Sequence, residues 1–86
     1  MNAVVIRVRV KDQEAAVKGL HEEVVPATKQ APGFVAGYWA RKGDSGLAMV
    51  IFDSEEAATN FSQEVTRPQG QVEIEDVEVR EVIAHA

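Results

Sequence analysis

The stretch LAMVIF at residues 47–52 places six apolar residues in a row near the middle of an 86-residue chain. A run of this length without a polar residue is typical of a strand that is buried on both faces of a sheet. The preceding residues, Lys42 to Gly46, are rich in turn formers, and Phe34 to Arg41 before them shows the alternation and the aromatics of another strand. The middle of the chain is therefore predicted to fold as a β-hairpin.

Both ends of the chain also carry strand patterns. Ala3 to Val10 has β-branched residues at every second position, and this period of two predicts a half-buried strand. Val72 to about Ala84 predicts the last strand, but its apolar phase slips at Glu75 and Asp76. Because one extra residue in a strand produces such a slip, we predict a β-bulge at Glu75-Asp76.

Two helical patterns separate these strands. The first runs from Asp12, a suitable N-cap, to about Val25, and Pro26 is expected to break or kink it. The second opens at Asp53 to Glu56, where Asp53 takes the first position of a capping box, and Arg67 to Gly70 should end it. The predicted elements therefore follow in the order β-α-β-β-α-β.

This order predicts an α+β fold of the ferredoxin-like type, with an antiparallel sheet that carries two helices on one face. Residues 1–86 are expected to form one such domain. The other face of the sheet would then be open. An open sheet face is normally polar, whereas both alternate sets of side chains in residues 47–52 are apolar. Since no segment is left to cover this face, we predict that a second copy covers it in a two-fold homodimer, sheet against sheet.

The composition excludes several classes of protein. Apolar residues make up 45% of the chain and its net charge is −5, which fits a folded globule and argues against a general nucleic-acid binder. There is no Cys, so disulfides and thiolate chemistry are excluded, and the two His residues predict no metal site. Arg7 and Arg9 interrupt the N-terminal apolar stretch. We therefore expect no secretory signal, no membrane partner and a cytoplasmic location.

Two segments resemble a known family. Pro32-Gly33-Phe34 opens a strand, and Asp53-Ser54-Glu55-Glu56-Ala57 follows a buried one. Together with the order of elements, they resemble the dimeric α/β barrel superfamily, in its antibiotic biosynthesis monooxygenase-like branch. The resemblance implies a homodimer whose two sheets form a barrel, with a pocket between helices and sheet in each subunit. Its members include cofactor-free oxygenases of aromatic polyketides and quinols, haem-degrading enzymes and isomerases.

The positions at which the resemblance would place catalytic groups hold other residues. Oxygenases of this branch carry Trp, Asn and Tyr where this chain has Phe52, Ala48 and Ala58, respectively. Haem-degrading members carry a Trp where Phe61 stands and a His ligand near Gln71. Ala and Phe can neither deprotonate a phenol nor stabilise the resulting charge. We therefore expect binding of a small apolar or aromatic compound without a cofactor; the alternative is a cofactor-independent monooxygenase or isomerase on an aromatic or quinol substrate.

Seven residues are candidates for ligand contact, and none is assigned a catalytic role. Tyr38 and Trp39 are neighbours on a strand, so they face opposite sides of the sheet, where each can stack on a ligand or simply pack. Arg7 either joins a charge ladder with acidic residues of the last strand or binds an anionic ligand. His21 is either a general base at a pocket edge or a boundary residue of the first helix. The full set is Tyr38, Trp39, Arg7, Arg41, Phe52, Phe61 and His21.

Overall fold

The computed structural model of the protein describes residues 1–65 and 72–86. The predicted end of the second helix, Arg67 to Gly70, and Gln71 lie outside the described residues. The elements follow in the order β1 (Asn2–Val10), α1 (Gln13–Gly19), a π-helical turn (Leu20–Val24), α2 (Val25–Lys29), β2 (Phe34–Lys42), β3 (Ser45–Phe52), α3 (Glu55–Val65) and β4 (Val72–Glu81). The continuous segment of α1, the π-helical turn and α2 forms the first helix, and α3 is the second.

The four strands form one antiparallel sheet in the order β2-β3-β1-β4. The first and last strands of the chain, β1 and β4, are neighbours in the sheet. Because β1 also pairs with β3, it is a central strand. The hairpin of β2 and β3 is present as predicted. This arrangement confirms an α+β fold of the ferredoxin-like β-α-β-β-α-β type.

The predicted bulge in β4 is present. Arg7 of β1 lies opposite Asp76, while the next residue of β1 lies opposite Ile74, so Glu75 is the extra residue. Because side chains alternate along a strand, this insertion resets the phase of β4. Ile74 before the bulge and Val77 after it consequently pack against the same core.

The last strand is shorter than predicted, since it ends at Glu81 rather than near Ala84. The backbone N–H of Val82 still donates to the carbonyl of Met1, at 2.9 Å. The neighbouring strand β1 begins at Asn2, and Ile83, which follows this hydrogen bond, is almost fully exposed.

The best-packed part of the core lies between the sheet and the second helix. Phe52 is the centre of this region, with the ring of Phe34 edge-on at 6.4 Å and the ring of Phe61 at 5.1 Å between centroids. Ala58 of α3 is fully buried, and its small side chain lets the helix lie close to the strands. The largest fully buried side chains are Phe52, Val4 and Val50.

The first helix begins as predicted, and it continues through Pro26 without a break. The Asp12 carboxylate accepts a hydrogen bond from the N–H of Ala15 at 3.1 Å, which confirms the N-cap. The helix does not break at Pro26 but continues to Lys29. Directly before the proline, the N–H of Val25 donates to the carbonyl of Leu20, five residues back. A proline lacks the N–H that an α-helix needs, and this wider turn accommodates it within the helix.

The N-cap of the second helix is Ser54 rather than Asp53. The Ser54 hydroxyl accepts from the N–H of Ala57 at 3.2 Å, and the helix starts at Glu55. Asp53 has a different role, because its N–H donates to the carbonyl of Gly33 at 2.9 Å. This hydrogen bond ties the loop before β2 to the end of β3.

Two glycines with positive φ give a matched pair for mutation. Gly33 (φ 81°) and Gly43 (φ 61°) both have left-handed backbones, which disfavour residues with a side chain. A Cβ on Gly33 would lie 2.8 Å from the Cβ of Ala57, whereas a Cβ on Gly43 would meet open space. Gly43→Ala should therefore destabilise the fold by about 1–2 kcal/mol from backbone strain alone. Gly33→Ala should lose about 1–3 kcal/mol more, because α3 has to shift. Urea denaturation measures both values, and equal losses would contradict the close approach.

The sheet face opposite the helices, called the open face, has an apolar part and a charged part. Tyr38 is 67% exposed, Leu47 43% and Met49 40%, and alternation places these three side chains on neighbouring strands of this face. In the charged part, Arg7 lies opposite Asp76 and Arg9 opposite Glu73. Within the described part of the chain, however, the one salt bridge joins Arg80 and Glu78 of β4, at 2.8 Å.

Candidate functional site

A cavity of about 410 Å³ lies between the first helix and the sheet. Its sheet side is formed by the helix-facing side chains of β1 and β3, and its helix side by the apolar stripe of α1 and the π-helical turn. The volume is within the range of small-molecule sites, about 300–1,000 Å³. The main apolar lining residues are Ile6, Val8, Val10, Ala16, Leu20, Val24, Trp39, Ala48, Val65 and Ile74.

The cavity exists because the two helices approach the sheet differently. The second helix packs tightly through Ala58 and the aromatic cluster around Phe52. In contrast, no residue of α1 or of the π-helical turn is buried, and the apolar side chain of Val17 in α1 remains 38% exposed. The facing residues are also small, since Ala16 comes from the helix side and Ala48 from the sheet side. One half of the helix–sheet interface is therefore packed and the other half is open.

Trp39 is the aromatic residue that faces the cavity. It lies opposite Ala48 in the strand register, on the helix-facing side of the sheet. Its ring lies over Gly37, where a Cβ would come within 2.7 Å of the ring carbon Cη2. Gly37 thus leaves the space that this indole occupies. Tyr38, its neighbour in the chain, is on the open face, so the two aromatics serve different surfaces.

His21 and Arg41 are the ionisable residues of the cavity lining. His21 is on the π-helical turn, and Arg41 lies in β2 opposite Gly46, beside which the Val8 side chain packs. Both side chains are exposed, so they are at the mouth of the cavity rather than at its floor. π-helical turns occur frequently at functional sites, and here the turn contributes Leu20 and Val24 to the wall as well.

The seven candidates from the sequence fall into three groups. Trp39, Arg41 and His21 line the cavity. Phe52 and Phe61 belong to the neighbouring core cluster, and Phe61 also borders a second, more open groove of about 620 Å³ between α2 and α3. Tyr38 and Arg7 are on the open face, on the far side of the sheet from the cavity.

The sequence interpretation missed most of the apolar wall of the cavity. Its clearest available signal is the spacing of Ala16, Leu20 and Val24, which puts a small residue and two larger ones on one helix face. The glycines at the cavity, Gly19 and Gly46, are a second signal. Neither signal gives the distance between helix and sheet, which decides whether such a face is packed or open.

In the described ranges, 1–65 and 72–86, no group of three or more His, Cys, Asp or Glu residues is placed to hold a metal ion. None of the helices in these ranges has the length and apolar character needed to cross a membrane.

Comparison of the sequence with models of protein families finds no match, and comparison with curated proteins finds none either. The function of the cavity therefore has to follow from its own geometry.

Proposed function

We propose that this protein is a small homodimer of the dimeric α/β barrel superfamily, of the antibiotic biosynthesis monooxygenase-like type, and that each protomer binds a small apolar or aromatic compound between its first helix and its sheet. The observation that carries the proposal is the cavity of about 410 Å³ with its apolar wall. Protein interiors are normally close-packed. Water gains few hydrogen bonds from such a wall, whereas an apolar ligand gains contact with all of it.

The lining favours binding over oxygenation. Ala48 is part of the cavity wall, while Phe52 and Ala58 are fully buried in the packed half of the interface. None of the three offers a proton acceptor or a hydrogen-bond donor to a substrate. A cofactor-free oxygenation needs both, so the monooxygenase alternative would rest on His21 and Arg41 alone.

Support for the homodimer comes from the open face. Among its exposed apolar side chains are Tyr38, Leu47 and Met49, which form a patch on neighbouring strands. Patches of this kind mark protein–protein contacts more often than monomer surface. A two-fold axis that lies between two such sheets, in the plane of the interface, brings the same patch of a second copy onto it.

Binding is tested by titrating anthrone and a benzoquinol into the protein. Trp39 is the only Trp of the chain and lines the cavity, so its fluorescence should change saturably. A ligand at a hundredfold excess over its Kd should raise Tm by roughly 10–20 °C. Absence of any response to either compound would contradict the proposal, and formation of a quinone product would favour the monooxygenase alternative.

A matched pair of variants locates the bound compound. Ala16→Phe places a ring into the cavity, and Ala27→Phe makes the same change in the same helix but at the second groove. We expect Ala16→Phe to weaken binding at least about tenfold through loss of space and Ala27→Phe to leave it unchanged. The reverse result would indicate that the compound binds in the groove between α2 and α3.

A further inference from the structure

The charge at the cavity differs from the charge of the whole chain. The chain has 14 acidic and nine basic residues, with a net charge of −5. Among the lining residues that the structure describes, none is Asp or Glu, and the ionisable ones are His21 and Arg41. The segment outside the description, residues 66–71, contains no carboxylate in its sequence. An otherwise acidic protein thus presents a cationic group at the mouth of an apolar cavity.

Arg41 is available for an external partner. Arg80 on β4 pairs with Glu78 through both an ion pair and a hydrogen bond, whereas the described part of the chain provides Arg41 with neither. The residue opposite Arg41 in the ladder is Gly46, which offers no side chain. The five N–H donors of the guanidinium therefore have no protein acceptor among the described residues.

We infer that the ligand of the cavity is a small aromatic compound with a single anionic group, and that Arg41 holds this group at the cavity mouth. The inference rests on the proposed function and names the chemical class of its ligand. The aromatic body lies on the apolar wall beside Trp39. The anion accepts two parallel hydrogen bonds from the guanidinium, an arrangement that fits a carboxylate. The imidazole of His21, on the other side of the mouth, offers one further N–H.

The test compares two probes with the same ring system, naphthalene-2-carboxylate and the uncharged naphthalene-2-carboxamide. Isothermal titration of the wild-type protein should show the carboxylate binding about tenfold to a hundredfold more tightly, as expected for a hydrogen bond to a charged group. Arg41→Gln should remove this preference while leaving the affinity for the carboxamide within about threefold. Arg41→Lys, which retains the charge but not the planar fork, should keep part of it.

Lys42→Gln is the matched control, because Lys42 is the next cation along β2 and points to the other side of the sheet. It should keep the full preference for the carboxylate. Equal binding of the two probes by the wild-type protein would overturn the anionic ligand and leave the proposed function standing. Equal losses of the preference for the carboxylate in Arg41→Gln and Lys42→Gln would also overturn the anionic ligand, since the anion would then be attracted by the positive charge of either residue rather than by Arg41 in particular. Absence of binding of both probes would overturn the inference and the proposed function together.

Discussion

Phe52→Ala is expected to destabilise the fold by about 3–5 kcal/mol, which is the usual loss when a fully buried aromatic ring is removed. Phe52 is completely buried and contacts the rings of Phe34 and Phe61. Since small domains are stable by only about 5–15 kcal/mol, this variant should lose about a fifth or more of the total. Urea denaturation at a fixed protein concentration measures the difference.

Phe61→Ala is the comparison for this prediction. It removes the same ring from the same cluster, but Phe61 is only half-buried, so the loss should be clearly smaller. In the double variant the two losses should be less than additive, because each ring has already lost its neighbour. A loss below about 1 kcal/mol for Phe52→Ala would mean that the core can collapse into the space, contrary to its close packing.

The second prediction concerns the oligomeric state. The wild-type protein should scatter light as a particle of about twice the chain mass of 9.4 kDa, and Met49→Lys should scatter as a monomer. Met49 lies in the middle of the open face, between Val5 of β1 and Tyr38 of β2. It is 40% exposed in one protomer, so a Lys is tolerated there in a monomer. In the dimer the same Lys would be buried against an apolar surface at a cost of several kcal/mol.

Val17→Lys is the control for the oligomeric state. Val17 is 38% exposed, nearly the same as Met49, but it is on the first helix, on the other side of the molecule. This variant should remain dimeric. A wild-type protein that is monomeric at tens of micromolar, or a Met49→Lys variant that remains a dimer, would contradict the proposed interface.

The strands of this fold were predictable because their signals are local. The period of two in β1 and the apolar run of β3 reflect burial of one or both faces directly, and both strands form. The slip of phase at Glu75 could be located within one residue for the same reason, since an inserted residue has to reverse the pattern. The sequence carried these features because each depends on neighbours within the same strand.

The helix boundaries were less predictable because they depend on distant contacts. The side chain of Asp53, the residue before Ser54, is as suitable a helix cap as that of Ser54. The backbone N–H of Asp53, however, donates to the carbonyl of Gly33, twenty residues earlier in the chain. The helix could therefore begin only one residue later than expected. Pro26 does not end the first helix as a proline usually does, because the π-helical turn before it accommodates the hydrogen bond that proline cannot donate.

The site was predictable only in part. The sequence placed Tyr38 and Trp39 on opposite faces but could not assign them, since two adjacent aromatics look the same under alternation. The pairing of Trp39 with Ala48 assigns the indole to the helix-facing side, and Gly37 leaves room for the ring there. The cavity itself depends on how far the first helix stands from the sheet, and no pattern of residues within one element encodes that distance.

The first helix is only weakly attached to the rest of the fold. Of its side chains, only Thr28, near the C-terminal end, is buried. Because so few of its side chains are buried, we expect local unfolding of this helix to cost less free energy than unfolding of the strands. Such openings occur on the microsecond-to-second timescale. If the protein binds a ligand as proposed, such openings would widen access to the cavity beyond its mouth at His21 and Arg41.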